Sequence, residues 1–328
     1  MTYEPRFTVT PKIVDDLMRI SDSLAKINIG KGVLVTPRLR RINRLRSLHS
    51  SLAIEGNSLS LDEVTSIIDG KPVRGPINEI AEVRNANSAY GMMASLDPFS
   101  ADDLLKTHGV MMRDLQPNAG SFRKGDEGVF DGEGNLVYMA PHPTDVPRMI
   151  NDLLRWTKES DYPMIVKSCV FHYRFEYIHP FEDGNGRMGR IWQTLLLSEY
   201  NSAFRWIPVE SMIRTYQKGY YDSIAQSNSS GDCTVFLEYM TDVILKALDE
   251  YINSSVRKES EDMSALTSNE SAVYAMIRDG YFRNAEQAAE TIGVSKPTLN
   301  RCLKSLREKG HIRREGNKKS GIWVIVKN

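Results

Sequence analysis

The chain has 328 residues and a formal net charge of zero, with 41% hydrophobic and 26% charged residues, the composition of a globular protein long enough for roughly two domains. Its three cysteines, Cys169, Cys233 and Cys302, form no CxxC pair, which speaks against a disulfide framework or a zinc site and favours a reducing compartment. No stretch approaches the roughly 18 apolar residues that span a bilayer, and the opening MTYEPRFTVTPKIVDDL lacks the basic start and apolar run of a signal peptide, so a cytoplasmic protein without membrane contact is expected.

In chain order, Leu39, Ile42, Leu45, Leu48 and Leu52 recur at helical spacing, predicting an amphipathic helix that begins near Pro37. Ser51 and Glu55 share a face of it, and Glu55-Gly56 falls at its C-terminal end. A carboxylate there meets the negative end of the helix dipole, which predicts a cationic partner; a solvated glutamate is the plain alternative. Ser60-Leu-Asp-Glu63 is a capping box, opening a helix that Gly70 stops. The β-prone runs Val129-Phe130 and Leu136-Val137-Tyr138 flank Asp131-Gly-Glu-Gly-Asn135, which is turn chemistry and predicts a hairpin. Residues 165–178 and 187–199 read as two buried helices.

Between those helices lies HPFEDGNGRMGR, residues 179–190. Gly184, Gly186 and Gly189 match the dinucleotide fingerprint, with Glu210 21 residues after the last glycine. The context refuses a Rossmann reading, because Pro180 cannot join a ladder and two acids would sit beside a pyrophosphate. The residues suit a helix–loop–helix anion site instead. Gly184 and Gly186 let the backbone turn so that N–H groups converge, and the next helix opens there with an N-terminus that favours phosphate. Arg187 and Arg190 lie on one face of that helix and can reach phosphate oxygens as charged forks. Asp183 offers a hard oxygen to Mg²⁺, and His179 is the candidate general base. These parts describe nucleotidyl or phosphoryl transfer to a hydroxyl.

The same residues fit the Fic family motif HPFx[D/E]GNGRxxR at every fixed position, and the chain resembles that family. The resemblance implies an enzyme with a mainly α fold, a helical core that transfers AMP from ATP to a Ser, Thr or Tyr hydroxyl of a target protein and to itself. His179 would deprotonate the hydroxyl. Asp183 would hold Mg²⁺, Asn185 with the Gly184–Gly186 backbone would hold the α-phosphate, and Arg187 and Arg190 the β- and γ-phosphates. The hairpin, with Val129, Phe130 and Asp131, takes the place of the Fic flap, which aligns the target peptide. Tyr220, Tyr221 and Asn228 resemble the adenosine pocket, with core packing as the alternative for the tyrosines. Ser51, Glu55 and Gly56 resemble the inhibitory motif [S/T]xxxE[G/N] in its N-terminal, class II arrangement. That implies a buried bidentate Glu55–Arg190 pair standing where the γ-phosphate belongs.

The polar, serine-rich segment from Lys258 to Ser271 reads as a linker. From Ser268 onward twelve Lys/Arg face six Asp/Glu, and residues 284–312 read as helix, turn, helix. Ser295 caps the second helix with Pro297 in its first turn. Leu299, Leu303 and Leu306 face inwards, while Lys296, Thr298, Asn300, Arg301 and Lys304 face out. Arg313 to Val326 reads as a two-stranded wing, and the whole resembles a winged helix, which lays its second helix in the DNA major groove. A protein-docking module is the alternative.

The expected division is residues 1–95, an N-terminal helical region with the inhibitory helix; 96–255, the Fic core; 256–267, the linker; and 268–328, a winged helix-turn-helix domain. A target protein, ATP, DNA and a homodimer partner are the expected associates. The rival readings are a DNA-binding regulator whose Fic fold only senses nucleotide, removal of AMP, and transfer of another nucleotide.

Overall fold

The computed structural model of the chain describes residues 4–29, 37–130, 136–264, 266–278, 280–282, 284–315 and 321–326. Helices dominate. In order they are α1 (Pro11–Ile29), α2 (Pro37–Ile54), α3 (Leu61–Ile68), α4 (Ile77–Met92) and α5 (Ala101–Met111). A hairpin of β1 (Gly128–Phe130) and β2 (Leu136–Met139) follows. Next come α6 (Val146–Glu159), α7 (Met164–Ile178), α8 (Asn185–Tyr200), α9 (Val209–Thr215), α10 (Gln217–Ser230) and α11 (Thr234–Ser264). The chain closes with α12 (Ser268–Arg278), α13 (Ala285–Thr291), α14 (Lys296–Glu308), β3 (Ile312–Glu315) and β4 (Ile322–Ile325).

Local chemistry explains several boundaries. Ser60 accepts from the Glu63 amide while the Glu63 side chain returns to the Ser60 amide, so the capping box opens α3 as its sequence requires. Gly70 follows in a left-handed conformation, φ +73°. The polar run from Lys258 differs from its reading as a linker, because α11 continues through it to Ser264. Ser, Lys and Glu do not by themselves stop a helix whose earlier turns are anchored by buried Phe236, Leu237, Val243, Ile244 and Leu248.

The chain divides into two compact units, Met1–Lys26 with Arg41–Asp249, and Ile27–Arg40 with Glu250–Asn328. In the first, α7 packs along α8, and their buried Phe171, Phe175, Met188, Trp192 and Leu196 share one core with Leu48 and Leu52 of α2. The hairpin pairs antiparallel, Gly128 with Met139 and Val129 with Tyr138, and its register slips before Phe130–Leu136. In the second unit, Leu299, Leu303 and Leu306 of α14 are buried against Val273, Ala289 and Ile312, and β3 pairs antiparallel with β4. Among the described residues no helix is long and apolar enough to cross a membrane, and all three cysteines are free and buried.

Candidate active site

Helix α7 ends where Pro180 would break it, and His179 caps it in the left-handed region, φ +50°, ψ +60°. This is unusual backbone for a side chain other than glycine. The His179 Nδ1 lies 3.3 Å from the Glu176 carbonyl oxygen. A carbonyl can only accept, so Nδ1 carries the proton and Nε2 is left basic.

The loop from His179 to Gly184 is braced from inside. Asn185 accepts from the Phe181 amide at 2.9 Å and donates to the Phe181 carbonyl at 2.8 Å. Its buried amide is thus spent on loop shape, where the family motif assigns it the α-phosphate. Phe181 stacks on His108 of α5, centroids 3.6 Å apart. His108 accepts the Gly120 N–H at Nδ1 and donates from Nε2 to the Asp183 carbonyl, 2.9 and 3.0 Å. Burial pushes the His108 pKa down to about 4, which keeps that donor–acceptor arrangement intact.

Gly184 is the N-cap of α8 with φ +83°, and no side chain caps the helix start. That leaves amide donors facing the site, as an anion site requires. Gly186 was expected to turn the backbone as well, but it lies inside α8 and is not in the left-handed region. Space is the reason for its glycine, because a Cβ there would collide with Glu55 Oε1 and stand 2.9 Å from Arg190 Nη1.

Both motif arginines are buried and occupied. Arg187 donates to Asp183 Oδ1 at 3.0 Å and to Glu82 Oε1 at 3.2 Å. Arg190 donates to Glu55 Oε1 at 2.7 Å, to the Ser51 carbonyl at 3.0 Å and, from Nε, to Ser51 Oγ at 3.1 Å. The expected bidentate carboxylate fork is therefore replaced by one carboxylate contact and two contacts to Ser51. Nor is the pair sealed, since the Arg190 side chain is 1% exposed and the Glu55 side chain 32%. Glu55 sits one residue past α2, where Gly56 at φ +90° reverses the chain, and from there its carboxylate reaches over the start of α8. Burial works against the Arg190 charge, but Glu55, Tyr220 and Glu176 together outweigh it and raise the pKa.

The expected adenosine residues part company. Tyr220 is 2% exposed, its hydroxyl 3.0 Å from His172 Nε2, and burial raises its pKa far above that of an ordinary tyrosine. Tyr221 is half exposed. Asn228 accepts from the Tyr173 hydroxyl at 2.9 Å. Val129 and Phe130 lie in β1, and Asp131 falls outside the described residues.

Several residues outside the motif have roles around the site that the sequence does not show. Glu82 links Arg187 to Asn57, whose amide it accepts at 2.8 Å. Glu210, 1% exposed, accepts from Ser47 at 2.8 Å, Tyr90 at 2.9 Å and Thr194 at 3.2 Å. It thereby fastens α2 to α4, α8 and α9. Arg123 and Tyr138 cap the end of α7. Among the described residues no group of three His, Cys, Asp or Glu could hold a metal.

On α14, Ser295 caps the helix through the Thr298 amide. Lys296, Asn300, Arg301 and Lys304 are exposed and Thr298 partly so. Lys296 pairs with Glu286 at 2.5 Å, and Lys304 lies 3.8 Å from Glu308.

Residues 98–197 match the Fic/DOC family. The fold and sequence are similar to a crystal structure of a Fic family protein from Desulfovibrio desulfuricans, 35% identical, TM-score 0.77, with 98% of each chain covered. The sequence is 28% identical over 294 residues to the probable protein adenylyltransferase of Aquifex aeolicus, covering 85% of both chains. It is 26% identical over 261 residues to the protein adenylyltransferase fic-1 of Caenorhabditis elegans, covering 73% of this chain and 48% of that one. The chain spans about half the length of the animal relatives it matches.

Proposed function

This chain belongs to the Fic family, and on that premise we propose that it is a protein adenylyltransferase whose N-terminal helix holds it inhibited. The observation that carries the reading is the start of α8, with no side-chain cap, Asp183 on buried Arg187 and Glu55 on buried Arg190, directly after the loop that begins at His179. Relatives named as adenylyltransferases support the same chemistry.

His179 Nε2 takes the proton of a Ser, Thr or Tyr hydroxyl. The freed oxygen attacks the α-phosphorus of ATP, the bond to the bridging oxygen breaks, and pyrophosphate leaves. Amides at the start of α8 receive the phosphate oxygens, and Arg187 and Arg190 hold the β- and γ-phosphates. A single carboxylate suits Mg²⁺, which is commonly held by one or two carboxylates plus substrate phosphates. When bound there it would neutralise phosphate charge. Asp183 gives Oδ1 to Arg187 and to the Gly184 amide, and its other carboxylate oxygen would serve that ion. Glu55 on Arg190 competes with the γ-phosphate, so ATP is held in a pose unfit for in-line attack.

The test is incubation of the Glu55→Gly protein with α-labelled ATP and Mg²⁺. Covalent label that disappears in Glu55→Gly/His179→Ala supports the enzyme. Absence of label in both returns the chain to a nucleotide sensor.

For residues 268–328 we propose a winged-helix domain that binds DNA. Helices α13 and α14 with the strand pair β3–β4 support it, as do ten basic residues against two acidic from Ser295 onward. Arg301→Ala should weaken binding of duplex DNA and lower the slope of log K against log salt by about 1. An unchanged slope favours protein docking.

A further inference from the structure

The end of helix α7, which carries His179, leaves a run of carbonyls with no helical partner, and each must be satisfied in another way. Their donors come from the segment that leads into the hairpin and from β2. The Arg123 guanidinium donates from Nε to the His179 carbonyl at 2.7 Å and from Nη2 to the Ile178 carbonyl at 3.4 Å. Its backbone N–H donates to the Pro180 carbonyl at 2.9 Å. One turn earlier, the Tyr138 hydroxyl of β2 lies 2.7 Å from the Glu176 carbonyl and 3.1 Å from that of Tyr177. The Tyr138 ring stacks on Tyr177, centroids 5.5 Å apart and planes 2° from parallel.

Arg123 also reaches both arms of the hairpin. Nη1 donates to the Gly125 carbonyl at 2.8 Å, on the approach to β1, and Nη2 to the Pro141 carbonyl, just past β2. The side chain is buried, the residue being 3% exposed. A lysine has no planar fork and could not serve these acceptors at once. The Glu176 carbonyl capped by Tyr138 is the one that receives His179 Nδ1. The two residues therefore bear both on the strained backbone of His179 and on the acceptor that fixes its tautomer.

We propose that Arg123 and Tyr138 are positioning residues that set the His179 imidazole from the flap, so the hairpin and the base move as one unit. This rests on the transferase reading above, in which His179 is the base. Neither residue is in the Fic motif.

The experiment uses the full chain in the Glu55→Gly background, with Tyr138→Phe, which removes one hydroxyl, and Arg123→Lys, which keeps the charge and loses the fork. The expected result is a fall in kcat of about tenfold for Tyr138→Phe and about a hundredfold for Arg123→Lys, with KM for ATP within about twofold. In both variants the imidazole NMR signal of His179, assigned by its loss in His179→Ala, shifts, and amide exchange at 128–130 and 136–139 quickens. A wild-type kcat with an unmoved His179 signal overturns the proposal. So does a parallel change of kcat, KM and melting temperature, the mark of a merely structural role. If the Glu55→Gly reference transfers no AMP, the transferase reading fails, and the His179 signal and flap exchange still decide whether the clamp exists.

Discussion

Arg190 Nη2 lies 2.7 Å from Glu55 Oε1, joining the second arginine of the 179–190 motif to the residue that follows α2. A hydrogen bond to a charged group is worth about 1.5–3 kcal/mol. Glu55→Gly should therefore raise the initial rate of α-labelled AMP transfer by roughly ten- to a hundredfold. Ser51→Ala removes a side-chain acceptor from the same guanidinium and should give a smaller rise. Equal rates in wild type and Glu55→Gly would sink the inhibitory reading.

Arg187 is held by a second acid. Glu82 Oε1 lies 3.2 Å from its Nη1, with the Glu82 side chain 23% exposed. A partly exposed pair of this kind is worth about 0.2–1 kcal/mol, so in the Glu55→Gly background Glu82→Gln should tighten ATP binding by up to about fivefold. Calorimetric titration with ATP checks it, and an unchanged Kd counts against competition at Arg187.

Gly186→Ala separates backbone from space. In an ordinary helix interior this change stabilises by about 0.5–1 kcal/mol. Here the new Cβ meets Glu55 Oε1 and stands 2.9 Å from Arg190 Nη1, and the crowding should cost about 1–3 kcal/mol. In Glu55→Gly protein the cost should fall, since only the Arg190 contact remains, giving a measurable coupling in a thermal-unfolding cycle. Additive effects would place the crowding elsewhere.

The second unit carries a pH dependence of known sign. Glu270, 5% exposed, accepts from the Thr267 amide at 2.7 Å and pairs with Lys309 at 2.9 and 3.0 Å. Burial works to raise its pKa, but hydrogen bonds from Ser305, Thr267 and Lys309 outweigh it and hold it at about 2, against an ordinary 4.5. Between those values the unfolded chain binds the proton and the folded one does not. Stability is thus full above pH 4.5 and is lost as pH falls towards 2, on the order of 2–3 kcal/mol. Glu270→Gln should flatten that loss, read as amide-exchange protection of residues 268–278 in the full chain, corrected for intrinsic rates.

The sequence by itself determined the helices and the local chemistry of the loop. Apolar residues at spacings of three and four bring Leu48 and Leu52 inwards, and Ser60 with Glu63 opens α3, because periodicity and caps act within a few residues. The 179–190 motif was legible for the same reason, since its base, acid and arginines are neighbours along the chain. It was not enough to assign every role within that motif. Asn185 is spent on the Phe181 backbone and Gly186 makes room for Glu55, and neither duty shows in a linear string.

Only the tertiary structure decided what surrounds that loop. It brings Glu82 onto Arg187 from 105 residues away and Arg123 onto the His179 carbonyl from 56, and it gives the Glu55–Arg190 contact, which the family resemblance implied as a bidentate fork, its single-oxygen form. Single residues at such separations leave no period to read, and their meeting follows from the packing of α2, α4 and the hairpin around α7 and α8. Buried charges and helix-end carbonyls must find partners wherever the fold supplies them, and here the fold supplied them from distant sequence.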